Sequence, residues 1–207
     1  MPKGSEELTK RRREEIITAC AQLYKTMSFK EITIKEIGKA TSFTRTSIYN
    51  YFHTKEEIFL ALLQREYELW IAQLRRIREQ NQPMSRLEFA SALSHSLEER
   101  KNLLKLLSMN IYDMEENSRI EKLTAFKVVY GQALSEVREC LEQYFPDMTR
   151  QDRDDFICTF FPFMFGIYPY TFITDKQREA MSQAKVDYAC LSIYEIVLSE
   201  VRKLLGV

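Results

Sequence analysis

Three helix-start signals crowd into one short stretch of the chain and restrict its fold more than any other feature. Thr33-Ile34-Lys35-Glu36 and Thr54-Lys55-Glu56-Glu57 are T-x-x-E capping boxes. In such a box the threonine oxygen takes one orphan helix amide and the glutamate reaches back for another. Thr44 stands between them as an N-cap. The signals predict helices at 33, 44 and 54, the first two only about eight residues long, too short to hold together alone in water. They must pack on longer neighbours. Ile16, Cys20, Leu23 and Met27, spaced 4, 3, 4, place one such neighbour at 7–27. Phe59, Leu63, Tyr67, Trp70, Leu74 and Ile77 place another at about 54–80. Ser85-Arg86-Leu87-Glu88 opens a further helix to 99, and others read at 101–115, 118–145, 150–170 and 175–205.

The expected fold is therefore all-α, with about nine helices. Five glycines and five prolines in 207 residues are too few for a sandwich or barrel of many short strands. Nothing in the sequence has the unbroken apolar length of a membrane span, and the start lacks the apolar core of a signal peptide, so a cytoplasmic location is expected. Cys20, Cys140, Cys158 and Cys190 form no C-x-x-C pair and read as small buried hydrophobes. His53 and His95 are too far apart for a zinc site, and no phosphate-loop, dinucleotide or nucleophile-elbow string occurs. No cofactor, metal or catalytic residue is expected.

The zero net charge hides an asymmetry. Residues 1–55 carry 11 Lys/Arg against 6 Asp/Glu, whereas 56–207 carry 19 against 24. A basic first quarter points to a polyanionic partner at that end. Lys10-Arg11-Arg12-Arg13 is its densest part: either a solvated helix start or an arm touching phosphates. Segment 33–52 has the pattern of a helix-turn-helix. Ile37 and Ala40 of the second helix point inward, Thr41-Ser42-Phe43 makes the turn, and Ile48 and Phe52 join Phe43 in the core. The opposite face of the third helix carries Arg45, Thr46, Tyr49 and Asn50. A major groove is wide enough to admit one helix presenting such a face.

These residues resemble the DNA-binding domain of tetracycline-repressor (TetR) family regulators. The strongest part is Ile48-Tyr49-x-Tyr51-Phe52 followed by Lys55-Glu56-Glu57. The likeness covers about the first 60 residues. It implies a DNA-binding domain at 1–55 and a helical ligand-binding and dimerisation domain at 56–207. It also implies roles for single positions. Thr44, Arg45 and Thr46 match the start of the recognition helix, Tyr49 the family's phosphate-contacting tyrosine, and Asn50 and Tyr51 the next groove positions. Lys55 matches a phosphate-binding lysine. Thr33 and Lys35 match a helix start that favours phosphate. Arg can bind guanine and Asn adenine with paired bonds. Tyr51 could equally be a packing aromatic. The sequence departs from the family at the turn, where Ala40-Thr41-Ser42 replaces Ala-Gly-Val, so Thr41 is expected to be mildly strained.

The other two thirds say less. The helix at 175–205 has two apolar stripes, Val186, Cys190, Ile193, Val197, Val201 and Leu204 on one, Tyr188, Leu191, Tyr194, Leu198 and Leu205 on the other. A helix apolar on two sides needs two partners, and the second is expected to be another copy of the chain. Eight aromatics fall within Phe156–Phe172, where Pro162 and Pro169 should kink or break the helix. Trp70, Met109, Tyr112, Phe126, Tyr130, Met164, Phe165 and Tyr168 are candidates to line a pocket for a small-molecule effector, or are plain core. The resemblance implies a homodimeric, ligand-responsive regulator, a repressor, on a pseudo-palindromic duplex operator. A helical enzyme and a protein-binding helical adaptor are the alternatives from other classes.

Overall fold

A computed structural model describes residues 3–207, apart from Phe43, Asn81 and Asn110 and the side chains of Lys3, Gly4, Ser5 and Arg45. Among the described residues the chain is all-helical, with eleven helices. These are α1 (Lys3–Leu23), α2 (Ile34–Lys39), α3 (Arg45–Ile48), α4 (Lys55–Glu79), α5 (Arg86–Glu98), α6 (Lys101–Leu107), α7 (Ile111–Glu116), α8 (Ile120–Tyr144), α9 (Arg150–Thr171), α10 (Asp175–Gln183) and α11 (Ile193–Leu205). They fall into two units. One comprises Met1–Arg65 and Asn110–Val129, the other Glu66–Met109 and Tyr130–Val207.

The first unit holds α1 to α3, the start of α4, α7 and the start of α8. Its core is aliphatic and aromatic: Ile16, Cys20, Tyr24, Ile32, Ile37, Ile48, Phe52, Phe59, Met114 and Phe126 are buried. Phe59 takes edge-on contacts from Tyr24 and Phe29, at 5.2 and 4.8 Å between centroids. In the second unit, Tyr67, Trp70, Tyr130 and Phe161 form an aromatic cluster, edge-to-face except for the tilted Tyr67–Trp70 pair. The buried Trp70 Nε1 donates to Ser96 Oγ at 3.0 Å, and that hydroxyl donates to Leu93 O. Both polar groups are thus satisfied inside the core. Ile193, Val197, Val201 and Leu205, every fourth residue of α11, are buried where that helix packs on α5 and α9.

Several expectations are corrected. The helix read at 101–115 is two helices, α6 and α7, with Ser108 closing the first through its own hydroxyl on Lys105 O. The helix read at 175–205 is also two. Lys185, at φ 53°, ends α10 in a Schellman motif: Val186 N donates to Met181 O and Lys185 N to Ser182 O. Ser192 and Glu195 then restart the chain as α11 with a full capping box. Val186, Tyr188, Cys190 and Leu191 lie between the helices, so the first apolar stripe begins only at Ile193 and the second at Tyr194. These two splits turn nine helices into eleven.

Conversely, Pro162 and Pro169 do not break α9, which runs unbroken from Arg150 to Thr171. Both prolines are exposed, so carbonyls that lose an amide donor can be hydrated. Cys20 and Cys140 are buried, and burial pushes each thiol up to about 12. Cys158 and Cys190 are exposed, against expectation. Ala40, expected inside, is exposed at the end of α2.

Candidate DNA interface

Local chemistry sets the helix-turn-helix. Thr33 Oγ1 accepts from Glu36 N at 3.2 Å and starts α2, although Glu36 turns its carboxylate to Lys39 instead of completing the box. Ile37 plugs into the core. The chain then turns without the strain expected at Thr41. Lys185 is the one non-glycine residue with positive φ among those described, so Thr41 lies outside the left-handed region. Its amide and hydroxyl both donate to Gly38 O, which closes the turn without a glycine at 41. Ser42 N donates to Glu15 Oε1 at 2.8 Å and ties the turn to α1. That bond, with the Ser42 hydroxyl, lowers the Glu15 carboxyl below its ordinary range. Phe43, expected in this core, lies outside the described residues.

Thr44 opens α3, its Oγ1 accepting from Ser47 N at 3.3 Å. Only Arg45–Ile48 are α-helical; a further turn runs to Phe52 on bonds from Tyr51 N and Phe52 N to Ile48 O. Ile48 and Phe52 are fully buried. This division gives the segment two faces. Thr44, Thr46 and Asn50 are exposed, and so is Tyr49 at 38%. The Arg45 side chain lies outside the described residues. Tyr51 is half-buried, and its hydroxyl receives Arg12 Nη1 from α1 at 3.4 Å. Thr33 and Lys35 are exposed at the start of α2. Lys55 is half-buried: Nζ donates to Phe29 O at 2.8 Å and sits 4.1 Å from the Phe29 ring centroid. One ammonium proton thus fixes the lysine to the α1–α2 connection, and two remain for other acceptors.

Below this surface lies an ion pair that periodicity did not disclose. Glu57, 1% exposed, sits in the first turn of α4. Its Oε1 accepts from Arg119 Nε at 2.6 Å and Arg119 N at 3.2 Å. Its Oε2 accepts from Arg119 Nη2 at 2.9 Å and His53 N at 2.8 Å. Burial alone would raise this carboxyl, but the arginine and the two amides outweigh burial and hold it down to about 2. The second capping box is therefore altered. Thr54 Oγ1 accepts from Glu57 N as expected, while the Glu57 carboxylate takes the amide one residue before the cap. Glu57 in T-x-x-E was visible in the sequence; its partner 62 residues away was not.

The eight pocket candidates do not share one unit. Tyr112 and Phe126 belong to the first, the other six to the second. Phe126, Trp70 and Met164 are buried in their cores. Tyr112 is 79% exposed on α7. Met109, Tyr130, Phe165 and Tyr168 are half-buried, and burial raises the Tyr130 and Tyr168 hydroxyls. No group of His, Cys, Asp and Glu among the described residues could hold a metal ion. No single described helix is long and apolar enough to cross a membrane.

Comparison with known proteins gives this geometry its setting. Residues 16–62 match the family described as "Bacterial regulatory proteins, tetR family". Residues 64–193 match "Tetracyclin repressor-like, C-terminal domain". No curated protein matches the chain by sequence. Among solved structures, a TetR-family transcriptional regulator from Mesorhizobium loti MAFF303099 shares 14% identity over 96% of both chains, with a TM-score of 0.61. The fatty acid degradation regulator FadR from Bacillus halodurans shares 18% over 94% of both, with a TM-score of 0.58. The repressor AlkX from Dietzia sp. strain DQ12-45-1b, implicated in biodegradation of n-alkanes, shares 13% over 92% of this chain and 95% of its own, with a TM-score of 0.50. At such identities the three show a common fold. The family matches go further, and by them the chain belongs to the TetR family of DNA-binding transcriptional regulators.

Proposed function

We propose that the protein is a cytoplasmic, homodimeric, ligand-responsive repressor that reads a pseudo-palindromic operator with the segment Thr44–Phe52. The observation that carries this is the division of that segment, with Ile48 and Phe52 sealed in the core and Thr46, Tyr49 and Asn50 turned out. A short helix so anchored has its polar face available to base edges. Arg45, Thr46 and Asn50 are assigned to bases. Thr33, Lys35, Thr44, Tyr49, Tyr51 and Lys55 are assigned to phosphates and orientation. Two-fold symmetry places half-sites about one helical turn apart or somewhat more. The exposed faces of α9 and α11 are assigned to the dimer contact, and light scattering that reports a monomer at micromolar concentration would remove that assignment.

The effector is assigned to the second unit, near Trp70, Met109, Tyr130, Met164, Phe165 and Tyr168, with Tyr112 and Phe126 retained as candidates from the first. Two of the similar structures are named for fatty acid degradation and for n-alkane biodegradation, so acyl and alkyl compounds belong in the first screening panel. A ligand shifts DNA binding only if it prefers one state, by roughly 1–3 kcal/mol in typical cases.

The test uses duplexes selected from a random library by the purified protein. Arg45→Ala is expected to cost about 1–3 kcal/mol on the selected duplex and little on random DNA, as for a base contact. Equal loss on both would reassign Arg45 to phosphate. Failure to enrich any duplex, with folded protein, would refute the reading.

A further inference from the structure

The C-terminal end of the recognition segment is tied into the first unit by a chain of hydrogen bonds. Phe52 is buried, and the next residue, His53, hands its amide to Glu57 Oε2 at 2.8 Å. The same carboxylate is gripped on both oxygens by Arg119, immediately before α8. A second bond runs beside it: Thr54 Oγ1 accepts from Glu57 N and donates to Asn117 O at 2.9 Å. The corner between α7 and α8 closes on itself through Asn117 Nδ2 to Asp113 O and Ser118 Oγ to Met114 O. The exit of the recognition segment is therefore fastened at both 53 and 54, by residues 117 and 119 acting directly or through Glu57.

A backbone amide held by a carboxylate that is itself forked onto an arginine has little freedom to swing. Four donors on one nearly buried carboxylate also leave no acceptor capacity loose to choose another geometry. Arg119 is half-buried and shares Nη1 with Glu121 at 3.4 Å, so its fork is oriented from α8 as well.

We propose that Arg119 is a positioning residue for operator recognition: acting through Glu57 and the His53 amide, it sets the orientation of the Thr44–Phe52 segment without touching DNA. This rests on the reading of that segment as the DNA-reading element. Removing Arg119 leaves every phosphate contact in place but lets the reading face wander, so discrimination between sites falls while the electrostatic component stays.

The test measures binding to a duplex selected by the wild-type protein and to a scrambled duplex of equal length, across a salt series. Circular dichroism confirms that each variant is folded at the working temperature. Arg119→Ala is expected to weaken the selected duplex about tenfold and the scrambled one hardly at all, with the salt slope unchanged. Glu57→Gln is expected to do the same, and the double variant to be no worse than either single one, because both act along one path. A slope shallower by about one, with equal loss on both duplexes, would make Arg119 a direct phosphate contact and overturn the proposal. Unchanged affinity in folded Arg119→Ala and Glu57→Gln would overturn it too, leaving the pair a purely structural role. Wild-type protein that discriminates no duplex from its scramble would instead strike the underlying reading of Thr44–Phe52.

Discussion

Replacing Glu57 by glutamine tests how much of the first unit's stability resides in one buried charge. The structure gives the size of the effect. The carboxyl falls from an ordinary 4.5 to about 2 because Arg119 and the amides of His53 and Arg119 stabilise the ion more than burial penalises it. A difference of that size corresponds to about 3 kcal/mol of folding stability at neutral pH. A depressed carboxyl contributes fully above its unfolded value and loses the contribution as pH falls toward its folded one. The gap between wild type and Glu57→Gln should therefore be about 3 kcal/mol at pH 7, about 1 kcal/mol at pH 3, and small at pH 2. Glutamine has nearly the shape of the protonated acid and no titration of its own, so the difference isolates this group from the other lowered carboxyls at Glu15, Glu31, Glu88, Asp152, Asp154 and Glu195. Hydrogen exchange of peptides spanning residues 50–60 and 115–125 is the suitable assay, since the amides of 53 and 119 report on the bond directly. A gap that stays constant from pH 7 to pH 3 would refute the reasoning, because it would mean that the ion itself contributes nothing.

Other perturbations probe separate parts of the molecule. Ser192→Ala should cost about 1 kcal/mol by removing the cap of α11, seen as a lower urea midpoint with an unchanged slope. Glu136→Ala should cost about 1–3 kcal/mol, because this buried carboxylate accepts from both Arg75 and Arg78 in the second unit; fluorescence of Trp70, the chain's single tryptophan, reports it. Lys55→Ala should weaken selected and random DNA alike and make the salt slope shallower by about one, read by fluorescence anisotropy in a salt series.

Features that depend on neighbouring residues were legible in the sequence. Thr33, Thr44 and Ser85 cap helices where their spacing predicts, and the repeat from Phe59 to Ile77 lies wholly within α4. The same rule, applied further, would have found the break before α11: Ser192-Ile193-Tyr194-Glu195 is a capping box, and a cap inside an apolar repeat marks a new helix. Apolar periodicity hid it, since Val186, Cys190 and Ile193 keep helical spacing across a segment that is not helical. Lys185 in the left-handed region gave no signal, because lysine has no preference for that conformation. The prolines of α9 do not end the helix, since an exposed carbonyl that loses its amide donor can be hydrated. Of the interface, the outward and inward faces of Thr44–Phe52 could be read from Ile48 and Phe52 alone. The bond from Arg119 to Glu57 could not, since nothing local links residues 62 apart.

The most direct measurement is a titration of a duplex selected from a random library with wild-type protein and with Asn50→Ala and Tyr49→Ala, over a range of salt. If Thr44–Phe52 enters the groove, wild type binds the selected duplex far more tightly than its scramble. Asn50→Ala then relaxes preference at one base position, and Tyr49→Ala weakens both duplexes. Should both variants bind the selected duplex as wild type does, another surface reads the DNA and the account fails.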